Sequence, residues 1–204
     1  MRDSCWGNLR TVPSARGRPD LASGRPSFFK MKHRVFIAIP ISEKLQKEIL
    51  QWRRAKLARL DSYVRWLAGK NLHLTLIPPW YVNNPKDATN LLDAIAYEKL
   101  VRGFVMEFRR VAFGPLEPPR GKPRLIWVEG PTPAPLKNFD TRERRPFRLH
   151  LTLARFRPED FSQFPIKKLN EPVSWREEVK EIVLMESHLS PQGADYEIIF
   201  RKSL

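Results

Sequence analysis

The pentapeptide Leu-His-Leu-Thr-Leu occurs twice in this chain, at 72–76 within "NLHLTLIPPW" and at 149–153 within "FRLHLTLARF". Strict alternation of apolar and polar residues has the period of a β-strand, in which residues two apart share a face. Leu72, Leu74 and Leu76 therefore point one way, and His73 and Thr75 the other. In the second copy Leu149, Leu151 and Leu153 separate from His150 and Thr152 in the same manner. The leucines belong in a core. The polar faces belong against water or a cleft, because burying an unpaired polar group is costly. A chain that writes this strand twice is expected to build two related lobes, each giving one such strand to a shared cleft.

The surrounding sequence is consistent with strands and few helices. "RVFIAIP" (34–40) reads as a buried strand. Ser42 is placed to cap a helix with Leu45, Ile49, Trp52 and Leu60 at helical spacing. "YVRWLA" and "NLHLTLI" read as two short strands joined at Gly69-Lys70, a hairpin signature. Asn84 followed by Pro85 marks a second helix start, with Leu91, Leu92 and Ile95 on its apolar side. "FVMEFRRVAF" and "RLIWVEG" are strands around the loop "PLEPPRGKP". "VKEIVLMES" and "YEIIF" form a hairpin through "SPQGAD". Hairpin connections imply antiparallel sheets, so the expected class is α+β.

Charge bears on partners. Lys and Arg number 37 against 22 acids, a net +15. Such a surface suits a polyanion, since neutralised phosphates release counterions. Residues 1–30 hold six basic and two acidic residues, without hydrophobic period. They are expected to be a flexible basic N-terminal extension, not necessarily native, with Met31 as a candidate initiator. Residues 31–204 are expected to form a single bilobal domain that keeps +11 of the charge. No stretch approaches the roughly 20 apolar residues of a membrane span. The single cysteine, Cys5, excludes an internal disulfide and a Cys-rich zinc site. A cytoplasmic setting without membrane contact is the expectation.

Two imidazoles and two hydroxyls on one cleft make coherent chemistry. With an ordinary pKa of about 6.5, one histidine can be neutral near pH 7 and the other charged. The neutral one takes a proton from a nucleophile and the charged one protonates a leaving oxygen. Threonine hydroxyls can donate to phosphate oxygens. One His-x-Thr on a half-exposed strand needs no function; two identical copies 77 residues apart point to an acid–base pair. A zinc site would need a third ligand, and the other histidines lack ligand spacing. His33 is expected to be solvated ahead of the first strand, and His188 to lie on the surface before a turn. No metal is expected, and no nucleophilic triad, P-loop or dinucleotide-binding glycine pattern is present.

The phrases "RVFIAIPIS", "VRWLAGKNLHLTL", "RPFRLHLTLARF" and "EIVLMESHLSPQGADYEII" carry a resemblance. Over about Met31 to Leu204 the chain resembles the 2H phosphoesterases, specifically the RNA 2′,3′-cyclic phosphodiesterase or 2′-5′ RNA ligase group. The resemblance implies a bilobal, pseudo-twofold α+β fold of antiparallel sheets, with helices on the outer faces and a central groove. It implies hydrolysis of an RNA 2′,3′-cyclic phosphate end to a 2′-phosphate without metal or cofactor, and the reverse 2′-5′ ligation. His73 would be the acid for the departing 3′ oxygen and His150 the base for water. Thr75 and Thr152 would hold the phosphate, and Arg155 would pair with it.

Two departures stand out. After the first motif the family usually continues Phe-Leu-Gly, where this chain has Ile77-Pro78-Pro79-Trp80-Tyr81. Trp80 is equally suited to stack on a base or to plug the core. Before the second motif, Pro131, Pro133 and Pro135 leave room for only one or two helical turns where the family has a helix. Another chain, or Phe28-Phe29 of the extension, is expected to cover the sheet there. The alternatives are hydrolysis of small cyclic nucleotides or oligonucleotide ends, and a non-catalytic RNA-binding module. Intact His and Thr in both copies speak against the module, because binding alone needs no acid–base pair.

Overall fold

The computed structural model describes residues 32–100, 102–115, 121–137, 139, 146–191 and 193–204. The extension, Phe28 and Phe29 included, lies outside the described residues. The strand β1 (His33–Pro40) carries five consecutive buried residues, the mark of a strand covered on both faces. Helix α1 (Glu43–Lys56) follows, capped by Ser42 as its sequence position requires; Leu45 and Ile49 are buried and Trp52 packs on the core. Next come β2 (Arg65–Trp66), a 3-10 turn at Gly69–Asn71, and β3 (His73–Val82). Asn84 caps a 3-10 turn, Pro85–Ala88, that leads into α2 (Thr89–Ala94). Then follow β4 (Phe104–Gly114), β5 (Leu125–Glu129), the single turn α3 (Ala134–Lys137) and β6 (His150–Arg155). The chain ends with β7 (Asn170–Val179), β8 (Glu181–Ser190) and β9 (Gly193–Ser203).

The strands form two antiparallel sheets, ordered β3-β1-β8-β9 and β2-β6-β5-β4-β7. Both ends of the described chain build the first sheet; the middle, with β2, builds the second. Their inner faces share one apolar core: Val35, Ile37 and Ile39 of β1 belong to the same cluster as Phe108, Ile126 and Val128. Each sheet also carries a small apolar patch on its other face, Phe36 with Met185 on one and Trp127 with Leu125 on the other. The two histidines sit beside these patches.

Two expectations need correction. Gly69-Lys70 does not close a hairpin. β2 pairs with β6 of the other sheet, and Leu67 extends that pairing through its amide to Leu153 O at 2.8 Å. A glycine doublet reports that the chain turns, whereas the partner is chosen by where Trp66 and Leu67 find apolar cover. Second, "VKEIVLMES" is not one strand: the chain reverses at Lys180, between β7 and β8, with Leu204 N bonded to Lys180 O at 2.9 Å. No glycine, proline or asparagine announces that reversal. Among the described residues before the second motif, the helix is the one turn of α3, which buries Leu136.

Ser42 links α1 to the second sheet. Its hydroxyl accepts from Leu45 N at 3.4 Å and donates to Glu177 Oε2 at 2.8 Å, while its amide donates to Glu177 Oε1 at 3.1 Å. Glu177 is 6% exposed. Burial raises its pKa, and the two Ser42 bonds oppose that rise. Ser42→Ala is expected to lower stability by about 1–2 kcal/mol, through the lost cap and the under-bonded carboxylate. A urea midpoint unchanged from the parent would contradict this.

Candidate active site

β3 and β6 come together where the two sheets meet. His73 opens β3 opposite Pro40, and His150 opens β6 opposite Glu129. The alternation works as written: all six leucines of the two motifs are buried, and His73, Thr75, His150 and Thr152 are half-buried on the other face.

The two imidazoles are held alike. His73 Nδ1 lies 2.8 Å from Asn71 O, and His150 Nδ1 lies 3.0 Å from Arg148 O. In both cases the partner is the carbonyl two residues back. A carbonyl can only accept, so Nδ1 carries hydrogen and donates, and the neutral ring keeps its lone pair on Nε2. Each ring also rests on an aromatic. His73 lies 4.9 Å from Phe36 and meets Tyr196 edge-on at 5.0 Å; His150 lies 4.9 Å from Trp127. Thr132 Oγ1 donates to Phe147 O and accepts from Leu149 N, tying the Pro-rich loop to the entry of β6.

These surroundings set the electrostatics. Burial, against the opposing pull of the Asn71 bond, brings the His73 pKa down to about 4, with Arg155 and His150 adding positive charge nearby. Burial also lowers the His150 pKa, again opposed by its backbone bond; Arg148 and Arg155 lower it further and Glu129 raises it. Both shifts disfavour the charged form of the ring in the free protein, against which the expected charged partner has to be formed. Two rings on apolar ground, each in the field of Arg155, cannot hold a proton as readily as rings in water. Glu129, 7% exposed, sits beside His150 and is bonded by Arg110 and, at 2.9 Å, by Arg148.

Arg155, at the end of β6, lines a cleft of about 180 Å³ with Arg65, Asn71 and Tyr196. Its charge reaches both histidines. Trp80 is half-buried: with Val82 it packs on the edge of the hydrophobic cluster, while Tyr81 is 61% exposed. His33 is not merely solvated, since it lies in β1 and its Nδ1 meets Glu186 Oε1 at 2.7 Å. His188 is on the surface as expected, 3.4 Å from Glu197. Neither joins the site. Sequence reading missed Tyr196, Trp127 and Glu129 as neighbours of the histidines. The register of β5 on β6 supplies Trp127 and Glu129, and no local signal marks them. Among the described residues no group of three or more His, Cys, Asp or Glu is arranged to hold a metal ion. Among them, too, no helix is long and apolar enough to cross a membrane.

No family model matches the chain, and no curated protein matches it. Solved structures do. TT0787 of Thermus thermophilus shares 20% identity at a TM-score of 0.62, over 84% of this chain and 97% of its own. E. coli LigT complexed with ATP shares 23% at 0.62, over 85% and 98%; a structure described as a phosphoesterase shares 22% at 0.60, over 85% and 99%. LigT has also been solved with NADP+ and with 3′-AMP. At these identities the likeness establishes the fold.

Proposed function

We propose that this chain, which has the fold of LigT and other 2H phosphoesterases, is a metal-independent RNA 2′,3′-cyclic phosphodiesterase. The observation that carries the reading is the pair of equivalent imidazoles, each anchored through Nδ1 to a carbonyl two residues back and each under the charge of Arg155. Water attacks phosphorus in line with the bond to the 3′ oxygen. One imidazole Nε2 takes the water proton as the new P–O bond forms. The other, protonated, gives its proton to the 3′ oxygen as the P–O3′ bond breaks, leaving a 2′-phosphate. Thr75 and Thr152 donate to the non-bridging oxygens, and Arg155 balances their charge. The same groups act in the same sense when a 5′-hydroxyl RNA end replaces water: that hydroxyl loses its proton and bonds to phosphorus, the P–O3′ bond breaks, and a 2′-5′ bond results. The +15 charge supports a polyanionic substrate, and the nucleotides bound to solved LigT support a nucleotide-sized one.

The test is incubation of a short RNA ending in a 2′,3′-cyclic phosphate, in excess EDTA, with identification of the product end. A 2′-phosphate is expected; a 3′-phosphate or an unopened ring overturns the reading.

The lowered histidine pKa values give a pH prediction. Turnover requires the dyad to hold one proton. In the free protein that state is populated between the two macroscopic pKa values, both below the ordinary 6.5. The kcat/KM profile is therefore expected to be a bell with its maximum on the acid side of neutral. A bound phosphate raises both imidazole pKa values, so the kcat profile lies at higher pH than that of kcat/KM. A kcat/KM maximum well on the alkaline side of neutral would contradict the burial of the two rings.

A further inference from the structure

The cleft face of the first sheet carries a row of side chains that the hydrolytic step does not use. Arg34 of β1 stands opposite Tyr81 of β3, and Ser187 of β8 stands opposite Tyr196 of β9. β1 and β8 are in register with Val35 facing Glu186, and Arg34 Nη1 donates to Ser187 Oγ at 2.9 Å. Directly opposite residues of an antiparallel pair project to the same face. The side chains therefore run across the sheet in the order Tyr81, Arg34, Ser187, Tyr196. Their face is the one that bears the site: Arg34 shares a face of β1 with Phe36, and both Phe36 and Tyr196 pack on His73. Tyr81, at the far end, is 61% exposed although it belongs to a strand and not to a loop. Arg34, in the middle, is held by Ser187. That bond uses one of the five guanidinium N–H groups and brings no negative charge. Neighbouring strands are about 4.8 Å apart, so along the sheet Arg34 lies about 10 Å and Tyr81 about 14 Å from Tyr196.

We infer that this row is the track along which single-stranded RNA approaches the site, with Tyr81 stacking on a base and Arg34 contacting an internucleotide phosphate between that base and the reacting end. This rests on the function proposed above. A cation set between two aromatic rings suits a single strand, because the ring faces accept any base and the cation follows the backbone. The row is longer than one nucleotide, so a cyclic nucleoside phosphate seated at His73 does not reach Tyr81. The track thereby favours RNA ends over mononucleotides, through contacts that do not read sequence.

The test measures the affinity of the full chain for a tetranucleotide RNA with a 3′-phosphate end and for a nucleoside 3′-monophosphate, over a series of salt concentrations. The parent is expected to bind the tetranucleotide more tightly by about tenfold or more. Tyr81→Ala, at an exposed side chain whose removal spares the core, should cost about tenfold in tetranucleotide affinity and leave the monophosphate unaffected. Arg34→Gln should weaken the tetranucleotide and flatten its salt dependence by about 0.7 in the logarithmic slope, the loss of one phosphate contact on a single strand. Arg34→Lys should keep the slope. Tyr97→Ala and Arg109→Gln, at exposed side chains outside the row, should change neither quantity. A parent without preference for the tetranucleotide, an unchanged tetranucleotide affinity in Tyr81→Ala, equal weakening of both ligands, or a salt slope unmoved by Arg34→Gln would each overturn the inference. If the parent opens neither a cyclic-ended RNA nor a cyclic nucleoside phosphate, the hydrolytic reading fails while the binding comparison still decides the track.

Discussion

Replacing either His73 or His150 by alanine is expected to cut turnover of a cyclic-ended RNA by about 10³-fold or more, and the double variant should lose little beyond that. A positioned acid or base contributes about 10²–10⁴ each. Groups that act in one proton relay are strongly non-additive, because the surviving partner has nothing to exchange with. Both rings lie on the cleft face, with the core leucines on the other, so the fold should survive; an unchanged urea transition for each variant checks this. A cyclic or aryl phosphodiester with an activated leaving group then separates the roles. Such a group departs without protonation, so the variant lacking the acid recovers on it and the variant lacking the base does not. The resemblance assigns the acid to His73. Burial lowers the pKa of both rings, that of His73 to about 4. On the assignment that the resemblance implies, recovery of His73→Ala is expected. Recovery of His150→Ala instead would exchange the two roles. Full turnover by either alanine variant on RNA would end the two-histidine mechanism.

Arg155→Ala is expected to lower kcat/KM by about 10²–10³-fold, the cost of removing one preorganised donor from developing charge. It should also move the pH profile. Arg155 lowers the pKa of both histidines, so its removal raises both and shifts the kcat/KM bell to higher pH. Arg155→Lys restores the charge without the planar fork. It should return the profile towards its original position while recovering only part of the rate. A pH profile unmoved by Arg155→Ala would place the guanidinium too far from the dyad to serve the reacting phosphate.

Much of this was legible in the chain. Alternation in the two Leu-His-Leu-Thr-Leu copies separated core from cleft correctly at every position. The Ser42 and Asn84 caps marked real helical starts, because a side chain that accepts from the backbone two or three residues on acts locally. Failure began where a partner had to be chosen at a distance. Gly69-Lys70 looked like a hairpin, yet β2 crosses to the other sheet, and the reversal at Lys180 carried no turn residue at all. Trp80 could not be assigned from sequence, because two irregularities in the β1–β3 pairing lie between Thr75 and Trp80, and only that register sets Trp80 opposite Val35 and against the cluster.

Sequence alone determined the repeated strand, its two faces and the chemistry of the side chains on the polar one. These follow from residue type and a period of two, and both are local. The tertiary structure decided that the two strands come from different sheets and meet, and that each ring is fixed by a carbonyl two residues back and rests on an aromatic. It also decided that Arg65 faces Arg155 across a ladder. Proton affinity depends on burial and on charges brought near by folding. For that reason the sequence could name two histidines as candidate acid and base, but only the packed structure could show that burial lowers the proton affinity of both.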